Sequence, residues 1–261
     1  MADTAIRIDH DGPVVRVQLT RPEVRNAFNG EIVAALTGWA VDAAHSPDLR
    51  VAVLSGQGPT FSAGADLAWM RAAASYSWDE NVRDARAAAE MFEALDRLPV
   101  PLIGRVQGAA LGGGAGLVAI CDMVVAAADA TFGFTEVRLG IVPAVIAPYV
   151  IAKIGPSASR ELFLRGARFD AARAREIGLV HEVVPETELD RAVDARIAEV
   201  LAGGPEAIAT AKALIRRVAG RAPRDVAQLT AETIAERRAS PEGADGLLAF
   251  LEKRTPRWSR S

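Results

Sequence analysis

Through the first two thirds of the chain, short runs of β-branched and aliphatic residues alternate with longer amphipathic stretches. Residues 14–19, 51–54, 102–106, 123–125 and 180–184, each bounded by Gly, Pro, Asp or Ser, predict strands. Between them the apolar positions recur at helical spacing. From Asn29 as a cap, Ile32, Leu36, Trp39, Ala40 and Ala43 share one face, as do Val82, Ala85, Ala89, Phe92 and Leu95 further on. This alternation predicts an α/β core around a largely buried sheet. After about Pro185 only the helical period persists, over 188–201, 205–218, 225–238 and 241–253, with Ser240 as a cap and Pro241 in the first turn of the last helix. The division expected is an α/β core over residues 1–195 and a C-terminal helical region over 196–261. Short helices bury little alone, so that region should pack on the core or on another subunit.

Composition narrows the chemistry. Half of the 261 residues are hydrophobic and 24% are charged, as in soluble globular chains. The formal charge of −3 supplies no basic field for nucleic acid. Lys212, Arg216, Arg217, Arg221 and Arg224 form the densest basic run, but Gly220 and Pro223 interrupt it and no aromatics are interleaved for base stacking. One cysteine, Cys121, and three scattered histidines give no metal-ligand spacing and no disulfide. Cys121 reads as an inert thiol in a buried helix. The first residues are acidic with no apolar stretch, and no long uncharged apolar run follows, so neither a secretory signal nor a membrane span is expected and the protein reads as cytoplasmic.

Two glycine-rich segments each follow a strand: F-S-A-G-A-D-L over 61–67 and G-A-A-L-G-G-G-A-G-L over 108–117. Neither is a phosphate-binding P-loop or a dinucleotide fingerprint. Such turns expose backbone N–H groups at a helix N-terminus, where two could together hold an oxyanion, although they serve equally as plain tight turns. A third segment, residues 130–143, sets Glu136 in apolar surroundings. A buried carboxyl there would have a raised pKa suited to proton transfer near neutrality; a solvated glutamate beside Arg138 is the alternative.

Taken in order, R-P-x-x-x-N-A-F-N (Arg21 to Asn29), F-S-A-G-A-D-L, G-x-A-L-G-G-G-A-G-L, F-G-x-x-E-x-x-L-G-I-x-P and a terminal A-F-L-E-K-R resemble the crotonase, or enoyl-CoA hydratase/isomerase, superfamily. The resemblance covers essentially the whole chain. It implies a crotonase-like spiral of ββα units with a C-terminal helical trimerisation region, assembled as a homotrimer or a dimer of trimers. It also implies an acyl-CoA thioester substrate and no cofactor, coenzyme A being part of the substrate. The backbone N–H groups of Ala65 and Gly113 match the family's oxyanion hole. Arg25, Ala27, Ala63, Asp66 and Leu67 match its CoA contacts, and Phe250 and Lys253 its adenine and phosphate contacts, often supplied by a neighbouring subunit. Trp69 and Met70 would line the acyl pocket, the residues from Ala72 to Tyr76 would form a mobile edge, and Ala144 would offer an N–H to water.

In one respect the chain departs from that pattern. Hydratases of this family use two glutamates; Glu136 matches the second, while Gly116 stands at the first. Asp122, the nearest other carboxylate, is expected further along the same helix, facing elsewhere. Three readings stay open: a hydratase in which Glu136 alone is general acid and base, a Δ3,Δ2-enoyl-CoA isomerase, and a non-catalytic acyl-CoA or RNA-binding relative. The stretches around A-D-L-A-W-M and I-V-P-A-V-I-A-P-Y resemble a bacterial branch of methylglutaconyl-CoA hydratases of leucine and isoprenoid breakdown, which also carries glycine at that position. The branch favours the hydratase and 3-methylglutaconyl-CoA, with Arg71 as the candidate partner for that substrate's free carboxylate.

Overall fold

The computed structural model describes residues 5–259; the first four residues, which belong to the segment read as lacking a secretory signal, and the last two lie outside the described residues. The chain runs β1 (Ile6–Asp11), β2 (Val14–Leu19), α1 (Gly30–Ala43), β3 (Val51–Gly56), α2 (Leu67–Ala73), α3 (Trp78–Asp96), β4 (Leu102–Val106), β5 (Ala109–Leu111), α4 (Gly113–Ile120), β6 (Met123–Ala127), β7 (Thr131–Gly133), α5 (Ala147–Arg165), β8 (Arg168–Asp170), α6 (Ala171–Glu176), β9 (Glu182–Val184), α7 (Leu189–Leu201), α8 (Pro205–Val218), α9 (Pro223–Ala239) and α10 (Pro241–Glu252).

Among the described residues nine strands form two sheets. The larger has the order β1-β2-β3-β4-β6-β9, parallel except for the β1–β2 hairpin, and the smaller has the order β5-β7-β8. Consecutive strands leave one sheet and enter the other, as β4 passes to β5 and β6 to β7. Single bridges, Ser62 to Ala110 and Phe28 to Ala65, carry the smaller sheet outward to the glycine-rich turns. This is the mixed α/β spiral expected. β3 is buried at every position, in keeping with a parallel strand covered on both faces.

The predicted helix face of α1 is buried throughout, and Asn29 caps the helix by accepting from the Ile32 N–H at 3.0 Å. On α3, Phe92 and Leu95 are buried, but Ala85 of the same predicted face lines a cavity and Val82 is exposed. The helix leaves the core along its first half. Four strands, β1, β5, β7 and β8, escaped the sequence pattern: β1 is an exposed edge strand rich in charge, and the others are three residues long. The strand expected over 180–184 begins at Glu182, because the N–H groups of Leu179 and Val180 are spent on the Ala174 carbonyl that closes α6.

Cys121 and Asp122 lie just past α4 rather than on it. Cys121 is buried, and burial pushes its thiol up to about 12, so it is inert as expected although not helical. Asp122 accepts from the Leu102 N–H (2.7 Å) and from Lys212 Nζ (2.6 Å) on α8. Lys212 also reaches the Val100 carbonyl at 2.9 Å, and Arg216 donates to the Asp96 carbonyl at 2.8 Å. Two members of the basic run therefore fasten the helical tail to the core. Arg50 closes it from the other side, donating to the carbonyls of Leu201, Gly203 and Trp258. Among the described residues no helix is long and apolar enough to cross a membrane.

Candidate active site

The two glycine-rich turns pack against each other, and their backbone conformations explain the glycines. Gly64 has φ +90° and Gly112 φ +50°, in the region side chains rarely adopt, and a Cβ on Gly64 would stand 2.8 Å from the Leu111 carbonyl oxygen. Around the first turn, the Phe28 N–H donates to the Gly64 carbonyl (2.6 Å) and the Asp66 N–H to the Phe28 carbonyl (2.8 Å). The Ala65 N–H between them is left outside that ladder. In the second turn, Gly113 opens α4, so its N–H has no partner within the helix. Among the described residues neither N–H has an acceptor.

Both turns face a cavity of about 280 Å³ lined by Ala65, Gly113, Glu136, Trp69 and Ala144 together with Phe28, Phe92 and Ile146. Five residues singled out from the sequence thus meet in one place. Glu136 begins a short 3-10 turn, Glu136–Leu139, and its Oε1 lies near the glycine turn, 3.3 Å from where a Gly112 side chain would start. Its Oε2 is buried with no hydrogen-bond partner. Burial raises the Glu136 pKa above the ordinary carboxylate range. No other lining side chain is ionisable.

Gly116, where the resemblance implies the first of two glutamates, leaves no room for a side chain. A Cβ there would stand 2.3 Å from Ile146 Cγ2 and 3.1 Å from the Phe92 ring. Ile146 fills the space and lines the cavity with other hydrocarbon side chains. This role of Ile146, like that of Phe28 and Phe92, was not legible in the sequence, where all three look like ordinary core residues.

The expected CoA contacts flank Phe28 and Ala65 in the chain but are not part of the cavity lining. Arg25 is exposed in a left-handed conformation (φ 56°), and its carbonyl accepts from the Ala63 N–H at 2.9 Å. Ala27 is buried, its carbonyl held by Arg21 Nη1 at 2.9 Å, and Leu67 is exposed at the start of α2. The Asp66 side chain is committed to structure. It caps α2 through the Ala68 N–H (2.8 Å) and pairs with Arg21 Nη2 (2.9 Å). Burial pushes its pKa up, but the Ala68 N–H and Arg21 outweigh that and hold it below the usual range. Asn26, quoted only as part of a motif, proves to be the tie beneath this loop. Fully buried, it donates to the Gln57 and Thr60 carbonyls and accepts from the Arg21 N–H.

Other expectations fare differently. The Ala144 N–H already donates to the Val142 carbonyl at 2.8 Å, so the turn after Pro143 occupies the donor expected to meet water. Met70 and Arg71 do not line the cavity; Arg71 is exposed on α2. Past α2, Ser75 Oγ donates to the Ala72 carbonyl and Ser77 forms a capping box with Glu80, so the segment read as a mobile edge carries local hydrogen bonds. Phe250 and Lys253 lie on the tail, away from the cavity lining, with Phe250 83% exposed.

Residues 9–261 match the sequence profile described as enoyl-CoA hydratase/isomerase. The 2,3-dehydroadipyl-CoA hydratase of Escherichia coli is 33% identical over 251 residues, spanning 93% of this chain and 94% of its own. A solved enoyl-CoA hydratase from Shewanella pealeana has a TM-score of 0.94 at 36% identity, covering 97% of this chain and 96% of that one. An enoyl-CoA hydratase/isomerase from Marinobacter aquaeolei has a TM-score of 0.92 at 34% identity, covering 98% and 99%.

Proposed function

The chain belongs to the enoyl-CoA hydratase/isomerase family, and on that premise we propose that it adds water across the 2,3 double bond of an enoyl-CoA thioester, with Glu136 as its one general acid and base. The observation that carries this reading is the buried, unpartnered Glu136 Oε2 in an apolar cavity that also holds two unpartnered N–H groups. The thioester oxygen sits between the Ala65 and Gly113 N–H groups. Ionised Glu136 takes a proton from water as the water oxygen bonds to C3. The C2–C3 π electrons move onto C2 and the thioester carbonyl, giving an enolate. Glu136 returns the proton to C2, so one water is added and the enzyme is unchanged. Each oxyanion donor in such a site is typically worth about 2.7–4 kcal/mol in the transition state. The chemistry needs no cofactor beyond the CoA that the substrate carries.

The hydrocarbon wall at Ile146 favours a second reading, the Δ3,Δ2-isomerase, since one carboxylate suffices to shuttle a proton between C4 and C2 and no second group holds water. For the acyl group, the branch resemblance points to 3-methylglutaconyl, while the absence of a lining cation fits an uncharged enoyl chain. Assaying crotonyl-CoA, 3-methylglutaconyl-CoA and a 3-enoyl-CoA side by side separates these readings by product. Wild type is expected to hydrate a 2-enoyl-CoA, and Glu136→Gln to abolish turnover while retaining CoA-ester binding. Undiminished turnover in Glu136→Gln would sink the single-carboxylate mechanism.

We further propose that the working form is a homotrimer or a dimer of trimers, with the tail of one subunit bringing Phe250 and Lys253 to a neighbour's CoA. The exposed Leu247, Leu248, Phe250 and Leu251 of α10 support this, being an apolar surface no core residue covers.

A further inference from the structure

Val33 and Trp69, which line the active-site cavity, also line a second hollow of about 450 Å³ between α1 and α3. Trp69 thus stands in a wall that the two hollows share. It rides on α2, a seven-residue helix with no buried residue, and its indole Nε1 donates to Asp84 Oδ1 on α3 at 3.0 Å. An indole whose N–H has found an acceptor is held in orientation as well as by packing. The groove beyond is walled largely by small residues, Ala34 and Gly38 of α1 and Ala87 of α3. Thr37 adds little polarity, because its hydroxyl already donates to the Val33 carbonyl at 2.7 Å.

We propose that Trp69 is the partition that sets the length of acyl chain the enzyme accepts, and that the α1–α3 groove is a latent extension of the acyl site. The groove takes the far end of a neutral alkyl chain once the indole is removed or turned aside. Asp84 and Glu90, both on its lining, disfavour a chain ending in a carboxylate. The proposal rests on the acyl-CoA reading above, but not on turnover.

Its test is therefore binding. Butyryl-CoA, octanoyl-CoA and dodecanoyl-CoA, saturated and inert to hydration, are titrated calorimetrically into wild type, Trp69→Ala and Asp84→Ala. Trp69→Ala should raise the ratio of dodecanoyl-CoA to butyryl-CoA affinity roughly tenfold or more over that of wild type, because several further methylenes leave water. Asp84→Ala, which keeps the ring and removes its acceptor, should shift the profile the same way by less; it also keeps the test open if Trp69→Ala folds poorly. Gly38 has no heavy atom within 4 Å of where a Cβ would stand, so Gly38→Trp added to Trp69→Ala should refill the groove and cancel the gain. One chain-length profile shared by all variants overturns the partition. A shifted profile without turnover of any 2-enoyl-CoA would leave the partition standing and remove the hydratase reading, whereas turnover with an unshifted profile would do the reverse.

Discussion

At the residue scale, the decisive feature is a carboxyl placed where charge is costly. Burial raises the Glu136 pKa, and a general base must be ionised, so kcat/KM should sit on a plateau above that raised pKa and fall as pH drops through it. The acid limb should lie above the range of an ordinary glutamate. Stability has the opposite slope. The folded state holds the Glu136 proton more tightly than the unfolded chain, so stability is greatest below the ordinary glutamate pKa and declines as pH rises through the raised one. Glu136→Gln should remove that contribution to the slope, read from urea midpoints across the acid range. Gly113→Pro tests the other half of the site. It deletes one N–H at the first helical position, where proline is otherwise tolerated, and should lower kcat about 10²–10³-fold with little change in acyl-CoA affinity. Equal losses in both would make the turn merely structural. The segments bearing Ala65, Gly113 and Glu136 were legible because glycines and an isolated glutamate stand out in sequence. Ile146 was not, since an isoleucine that closes the space beside Gly116 reads like any other core isoleucine.

At the scale of elements, polar groups with local signatures and polar groups with distant partners behaved differently. The caps at Asn29 and Ser240 could be read directly, because a capping side chain and the N–H it accepts from are three residues apart. The Lys212–Asp122 pair could not. Its members are 90 residues apart, and in sequence Lys212 is one end of the densest basic run. Its side chain is only 9% exposed, so Lys212→Met should loosen α8 from the core, whereas Asp122→Ala, which strands the Leu102 N–H and leaves a nearly buried ammonium with the Val100 carbonyl but no counter-charge, should cost more, about 3 kcal/mol. Denaturant midpoints rank the two variants, and amide exchange along α8 reports the loosening. Equal and negligible effects would mean that this pair does not fasten the tail.

At the scale of the whole molecule, the tail docks on its own core on one side and presents an uncovered apolar face on the other. If Leu247 and Leu251 sit in a subunit interface, the double change to Asp should shift the mass seen by light scattering from trimer or hexamer towards monomer and weaken CoA binding along with it; an unchanged mass would place the interface elsewhere. Such assembly buries apolar surface that a single chain leaves in water. The α/β order, the helical tail, the two glycine turns and the isolated Glu136 could be read from the chain alone, because periodicity, capping and backbone permissiveness are local properties. What could be seen only once the chain was folded is that Ile146 closes the space beside Gly116, that Trp69 divides two hollows, and that Lys212 is a fastening rather than a surface charge. Each of those depends on which side chains the fold makes neighbours across many residues of chain, and no local pattern encodes a neighbour that distant.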